Sequence, residues 1–420
     1  MLKRFIIKLP SMNLLYVLLI CYITFFFPII SMINQFSDQE TNVISLIYRV
    51  STFLLSVFII LREILLRKKI VFPYSMYLII LFWIFYLVHL IYDLYVLGLI
   101  LDPLKTREYY LGQAVGICFI NMLACYHAGR KIDFTLLAKA MFILFSIINV
   151  LLIVNFLNSY GLNFIDYAKT RYTLTSEVTD IEYLNPISIG VNSGYLLILM
   201  MYVNKIKIYH LILIPIGLFN LIISASMGPF LSLGMVVILF TFLKFRSLNI
   251  KKVLMLGIMV LTVFIVYYYY SGVMEDFLLY ERLMNSDTET VTSTTMRLES
   301  INYAFDQIKS NVIFGTHYYV LADRSSPHNI FVDIILVSGL VGLFLFICPL
   351  IKFLSIIFHN YLKNPIMAIA FFTFGLAQTS GYVHGLDQFW PLMALVLAFS
   401  VNLKKARKKC FLKNTSSDTI

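Results

Sequence analysis

Ser326-Pro-His-Asn-Ile-Phe-Val-Asp-Ile-Ile-Leu-Val-Ser-Gly-Leu-Val-Gly-Leu-Phe-Leu-Phe346 decides the fold class. From Ile330 onward it is apolar except for Asp333 and Ser338, and it stays apolar to about residue 350. A run of about 20 such residues crosses a hydrocarbon core as a helix. It follows the one long polar segment of the chain, residues 272–328. Pro327 suits the first position of a helix, and Ser326 ahead of it is a good cap. His328 is therefore expected in the first turn, beside free backbone N–H groups and the positive end of the helix dipole. Both favour a neutral imidazole and a nearby anion. A neutral imidazole at a water-facing edge can accept a proton.

The rest of the chain has the same character. Of 420 residues, 60% are hydrophobic and 13% charged. The mean hydropathy is +0.85. A soluble fold cannot hide so much apolar surface, and apolar runs of spanning length recur throughout. The expected fold class is an all-α polytopic membrane protein. Twelve spans are expected, near 12–32, 43–61, 74–97, 112–128, 135–157, 185–203, 208–224, 229–244, 253–271, 329–350, 365–381 and 388–402. Residues 208–245 form one apolar block about twice a helix length with basic residues at both ends, so a hairpin turning at Ser224-Ala-Ser-Met-Gly-Pro229 is expected. The same argument makes 365–402 a hairpin. No linker divides the chain, and 1–420 reads as one integral domain.

The net charge of +11 is a matter of orientation rather than of nucleic acid. Arg67-Lys68-Lys69, Arg130-Lys131, Lys205 with Lys207, Lys251-Lys252 and Lys404-Lys405-Ala-Arg407-Lys408-Lys409 fall between alternate pairs of apolar runs. This is the positive-inside pattern, and it places both termini in the cytoplasm. The clusters lack the stacking aromatics of a nucleic-acid groove. The basic tail suits anionic lipid heads. Cys21, Cys118, Cys125 and Cys348 lie inside apolar runs and Cys410 in the tail, so neither a disulfide framework nor a zinc site is expected. The apolar run behind Lys3, Arg4 and Lys8 has no small-residue cleavage site and reads as a first span, not a signal peptide.

This orientation sends 34–42, 98–111, 158–184, 224–228, 272–328 and 381–387 to the outer face. Lys105, Arg107, Lys169, Arg171, Arg282, Arg297, Lys309 and Arg324 lie there, on the side the charge rule disfavours. A solvated loop charge explains any one of them. Eight together point to an anionic ligand, and Arg suits phosphate because its fork meets two oxygens at once. Within the large loop, between the ninth and tenth spans, Leu298, Ile301, Phe305 and Ile308 recur at helical spacing. An amphipathic helix is expected near 296–310, with Arg297 in its first turn on the face of Ile301, Ala304 and Ile308. That helix either lies on the membrane and holds Arg297 towards a cavity, or packs on the bundle as a partner.

Arg297, this helix, Asn311-Val-Ile-Phe-Gly315, Pro327-His328-Asn329 and the glycines Gly339 and Gly342 together resemble the O-antigen polymerase and O-antigen ligase superfamily, over about residues 290–348. The resemblance implies a bacterial cytoplasmic-membrane glycosyltransferase. It implies a reaction at the periplasmic or extracellular face on a glycan carried by undecaprenyl diphosphate. It also implies metal-independent chemistry with no cofactor, in which an outer-loop Arg and the His are essential, here Arg297 and His328. Arg171, Arg282, Arg324 and Asn329 are the expected substrate-binding residues beside them. Membrane lipids, a chain-length regulator and a flippase are the partners implied.

Chemically, loss of a lipid diphosphate needs cationic stabilisation, and a sugar hydroxyl needs a base to become a nucleophile. A metal could replace the cations, with Asp180-Ile-Glu182 or Asp287-Thr-Glu289 as ligands; such acidic pairs are common in loops. The chain departs from the family at Ser226-Met227-Gly228, where many members carry Ser-Arg-Gly. That missing cation favours a polymerase over a ligase that moves polymer to lipid A core. A lipid-linked oligosaccharide flippase is the alternative of another class, although two related halves are not evident. Among other polar residues, Arg49 and Asp93 fall in or near spans, where charges face a cavity or a partner. His317 lacks a helix start to tune it. His384 and Asp387 are weighed as sugar contacts, Trp390 as an interfacial anchor, and Tyr267 to Tyr270 as an aromatic belt.

Overall fold

The computed structural model describes residues 12–36, 42–66, 72–103, 105–160, 174–175, 182–203, 207–245, 289–379 and 381–417. These form thirteen helices. In order they are α1 Met12–Phe25, α2 Phe27–Phe36, α3 Asn42–Leu66, α4 Tyr74–Val96, α5 Arg107–Gly129, α6 Phe134–Tyr160, α7 Pro186–Met201, α8 Ile208–Ile223, α9 Met227–Phe245, α10 Glu289–Ile308, α11 Ile330–Asn360, α12 Pro365–Ala377 and α13 Phe389–Ser417. The only strands among the described residues are Leu174–Thr175 and Glu182–Leu184, which pair antiparallel ahead of α7.

Six helices are long and apolar enough to cross a membrane: Val43–Leu66, Tyr74–Val96, Arg107–Gly129, Phe134–Asn158, Met227–Lys244 and Ile330–Lys363. A seventh span results if α1 and the start of α2, bent by 63°, count as one. The protein is thus a multi-pass helical membrane protein, but the described residues do not give the twelve spans expected. Residues 186–201, 208–223, 365–377 and 389–403 are shorter apolar helices. The stretch 253–271 lies outside the described residues. Hydropathy alone does not register where caps cut a run short: Asn185 and Asn364 each cap a helix that begins with Pro.

The turn expected within 208–245 is present at 224–226, with Ala225 at φ +43°. Its two helices do not form a simple side-by-side hairpin. Both pack on α7, which is buried along almost its whole length. A helix that is apolar all round belongs inside a bundle. Around it, α13 packs on α5 and α11 on α4. Trp83 and Trp390 meet edge-on at 5.0 Å between ring centres, with Phe82 stacked on Trp390 at 5.6 Å. Trp390 is fully buried and donates to Val383 O at 2.8 Å. It is a core residue, not an interfacial anchor, because the last turn folds inward over it.

The helix α11 is broken where the sequence gives only a run of apolar residues. Gly339 has φ +58° and ψ −159°, outside helical geometry. The stretch after α10 inserts at this break. Leu340 N donates to Val312 O at 2.9 Å, Val341 N to Ile313 O at 3.2 Å, and Thr316 N to Leu336 O at 2.7 Å. The backbone groups freed by the kink are thereby satisfied, as an apolar setting demands. A Cβ on Gly339 would stand 2.3 Å from Ile313 O, and one on Gly315 (φ +84°) would stand 2.3 Å from Val337 O. Only glycine permits this approach.

Candidate active site

The start of α11 differs from expectation at its cap. Asn329 is the N-cap, and its Oδ1 accepts from Phe331 N and Val332 N. Asn caps at least as well as Ser, and the helix begins at Ile330. His328 therefore precedes the helix instead of lying in its first turn. It adopts φ +51°, a conformation that non-glycine residues rarely take. Such local strain persists only where the surroundings impose it, and it marks functional sites.

The long loop supplies those surroundings. Helix α10 spans 289–308, so Arg297 lies well inside it rather than in its first turn. Its buried face carries Ser300, Ala304 and Ile308, whereas Leu298 and Phe305, expected on the same face, point outward with 57% and 48% exposure. Ala304 and Ile308 pack in a small cluster with Val320 and Leu336, so α10 is a partner helix on α11. Two polar residues fasten the following loop to it. Ser300 Oγ meets Ser325 Oγ at 2.6 Å. Gln307 donates to Thr316 Oγ1 and Tyr319 O, and accepts from Leu321 N. The segment carrying His328 is thus held against the helix carrying Arg297.

The last turn, residues 378–388, completes the arrangement. Arg297 Nη1 donates to Thr379 O at 3.0 Å, and Asn329 Nδ2 to Gln378 O at 3.3 Å. Asp333, one turn into α11 and buried, accepts from Val383 N at 2.7 Å. Arg297 and His328, distant in sequence, are close enough to interact electrostatically. Burial lowers the His328 pKa below its ordinary value, the Arg297 charge lowers it further, and Asp323 opposes both. The imidazole is therefore neutral at neutral pH and able to accept a proton. No hydrogen bond of the His328 ring occurs among the described residues.

The other expected residues fare differently. Asn329 joins the site, as cap and as tie to Gln378. Arg324 stands exposed at φ +50° in the tip of a turn closed by Val320 N and Ser325 O, with no contact to Arg297 or His328 among the described residues. Arg171 and Arg282 lie outside the described residues, as do Asp180, Asp287 and Tyr267 to Tyr270. No group of three metal-ligating side chains occurs among the described residues. His384 is buried, and its Nδ1 meets Tyr86 OH at 2.6 Å; burial pushes its pKa down to about 3. It is a core histidine, not a sugar contact.

Of the supports, sequence reasoning marked Asp93 as a charge in need of a partner, but it missed Ser300 and Gln307. Asp93 is buried at the end of α4 and accepts from Tyr318 N at 2.8 Å, with His317 Nδ1 2.9 Å from its other oxygen. A carboxylate in an apolar helix is the signal that marked it, and the loop at His317 and Tyr318 is the partner it called for. Ser300 and Gln307 gave no signal, since polar residues in a polar loop are unremarkable.

The fold and site together define a multi-pass helical membrane protein with a cation–imidazole pair clamped between a loop helix and the break-bearing helix α11. Residues 211–347 match the family model described as O-antigen ligase, a segment that runs from α8 to α11 and contains both Arg297 and His328. The matched segment overlaps residues 290–348, the stretch whose motifs carry the resemblance. No curated protein and no solved structure matches the chain.

Proposed function

We propose that the protein is a polymerase. It joins oligosaccharide repeats carried on undecaprenyl diphosphate into a surface polysaccharide at the outer face of a bacterial cytoplasmic membrane. The observation that carries this reading is the meeting of Arg297 and His328, inside the matched segment, at one clamped helix start. The acceptor hydroxyl loses its proton to the neutral His328 as its oxygen forms the bond to the anomeric carbon. The bond to the diphosphate oxygen breaks, and the guanidinium of Arg297 balances the charge left on the departing diphosphate. Attack opposite the leaving group inverts the anomeric centre. The roles of Arg171, Arg282 and Arg324 remain those of additional phosphate contacts under this reading, with Asn329 positioning the helix start.

A ligase would use the same donor chemistry with a lipid A core acceptor. The turn Ser226-Met227-Gly228 favours the polymerase, because the cation that ligases carry there is absent. The flippase alternative draws no support from the family match. Gel analysis of surface polysaccharide tests the reading. Cells lacking the gene should keep single repeats on their surface, and polymer retained on its lipid carrier would instead indicate a ligase. His328→Ala, at unchanged protein level, should reproduce the deletion; normal chain length would remove His328 from the chemistry.

A further inference from the structure

The turn that holds Arg297 and Asn329 also walls a cavity of about 300 Å³ that contains neither Arg297 nor His328. The opposite walls are Phe27-Pro28, at the start of α2 just past the break at residue 26, and the start of α7. Non-helical backbone in such a protein is tolerated where it lines a cavity with polar groups, and about half of this wall is polar: Asn185, Ser188, Asn192, Tyr382, Asp387 and Gln388 line it.

Three observations mark it as a site. Asn192 is 1% exposed, its Nδ2 donates to Ser188 O at 2.6 Å, and its Oδ1 has no hydrogen-bond partner. The amide orientation is fixed, because a carbonyl can take only the donor side. A buried acceptor without a donor costs about 1–3 kcal/mol unless something fills the gap. Gln388 accepts from Tyr195 OH at 2.6 Å through Oε1, which orients the remaining amide donor away from Tyr195. Asp387 borders this cavity and a second one of about 140 Å³ that also holds Arg49, and burial raises its pKa to about 6. The volume is at the lower end for ligand pockets, which run from about 300 to 1,000 Å³, and is too small for a lipid chain. Amide, hydroxyl and carboxylate groups beside apolar side chains around a small space match a ring rich in hydroxyls.

We propose that this cavity is a saccharide subsite, which takes one sugar residue whose hydroxyl groups donate to Asn192 Oδ1 and to the Asp387 carboxylate. The inference rests on the glycan-transfer reading of this end of the molecule. It adds a place where a sugar of the growing chain or incoming repeat is held while the Arg297–His328 pair acts.

The test uses full-length protein in detergent and the methyl glycosides of glucose, galactose, N-acetylglucosamine and rhamnose. Tryptophan emission reports binding, since Trp390 follows Phe389 in the cavity wall. At least one glycoside should saturate the wild type, and Asn192→Leu and Asp387→Asn should each weaken it about ten-fold, the loss of one hydrogen bond to a sugar hydroxyl. Lys309→Gln, at an exposed position outside the cavity wall, should bind as the wild type. Asp387→Asn keeps size and lies in a turn, so it serves if Asn192→Leu fails to fold. If no glycoside saturates, or if the variants bind unchanged, the subsite is overturned. Failure of the polymerase reading shows separately, as normal polymer in His328→Ala cells.

Discussion

His328 draws its chemistry from a backbone angle and two neighbours. Its φ of +51° turns it away from the helix it precedes, and Arg297 with burial keeps it neutral. The sign of the coupling is testable. Arg297 lowers the His328 pKa, so Arg297→Gln should let that pKa climb back towards the ordinary 6.5. Histidine-labelled NMR in detergent should show the ring titrating below 6.5 in the wild type and at higher pH in the variant. An unchanged titration would separate the two residues. Activity that needs the neutral imidazole should fall only as the pH drops through the lowered pKa. Arg297→Lys should abolish polymer, since an ammonium cannot reproduce a planar guanidinium held by Thr379 O. Both residue types were legible in the sequence, as was the capping of α11, but the cap is Asn329, three positions beyond the expected Ser326. Ser326 and Asn329 are both good caps, and nothing local decides between them.

At the scale of elements, α10, the loop behind it and α11 form one interlocked unit. Val312 and Ile313 bond across the break at Gly339, and Gln307 holds three points of the loop. Gly339→Ala places a methyl group 2.3 Å from a backbone carbonyl at a positive φ. It should destabilise the unit by about 3 kcal/mol or more, read as early melting in detergent together with loss of polymer. Wild-type melting would mean the break relaxes without cost. Gln307→Ala leaves Leu321 N and Tyr319 O without this partner and should speed proteolysis of 316–326 while sparing the bundle. Helical periodicity foresaw α10 and its packed positions Ala304 and Ile308, but it also counted Leu298 and Phe305 among the apolar positions, and these face outward. Leu298 and Phe305 look like core residues at their spacing, yet the packed face is the one with Ser300, whose hydroxyl is needed at Ser325.

Over the whole molecule, one end of the bundle gathers the site. Asp93 on α4 binds the loop at His317 and Tyr318, and Tyr318 OH accepts from Leu101 N at 2.9 Å. The opposite end is tied by charge as well: buried Glu63 of α3 pairs with Lys131 in the turn after α5, and Tyr16 donates to the same carboxylate at 2.7 Å. The proposed orientation puts the first end outside. With native cysteines replaced, Asp306→Cys should react with an impermeant thiol reagent in intact cells, and Lys363→Cys only after permeabilisation. Both positions are exposed. The reverse pattern would end the proposal of an outer-face reaction.

The amino-acid sequence by itself determined the solvent this chain folds in, its helical class and the two side chains proposed to carry the chemistry, because hydropathy, charge distribution and side-chain type are properties of residues taken in order. The tertiary structure alone decided which runs are long enough to span and where α11 breaks. It alone decided that Gln378 and Thr379 lend carbonyls to Asn329 and Arg297, and that Asn192 faces a polar cavity unsatisfied. The two carbonyl contacts join segments 49 and 82 residues apart, and a contact at that separation is set by packing geometry, which no local pattern encodes.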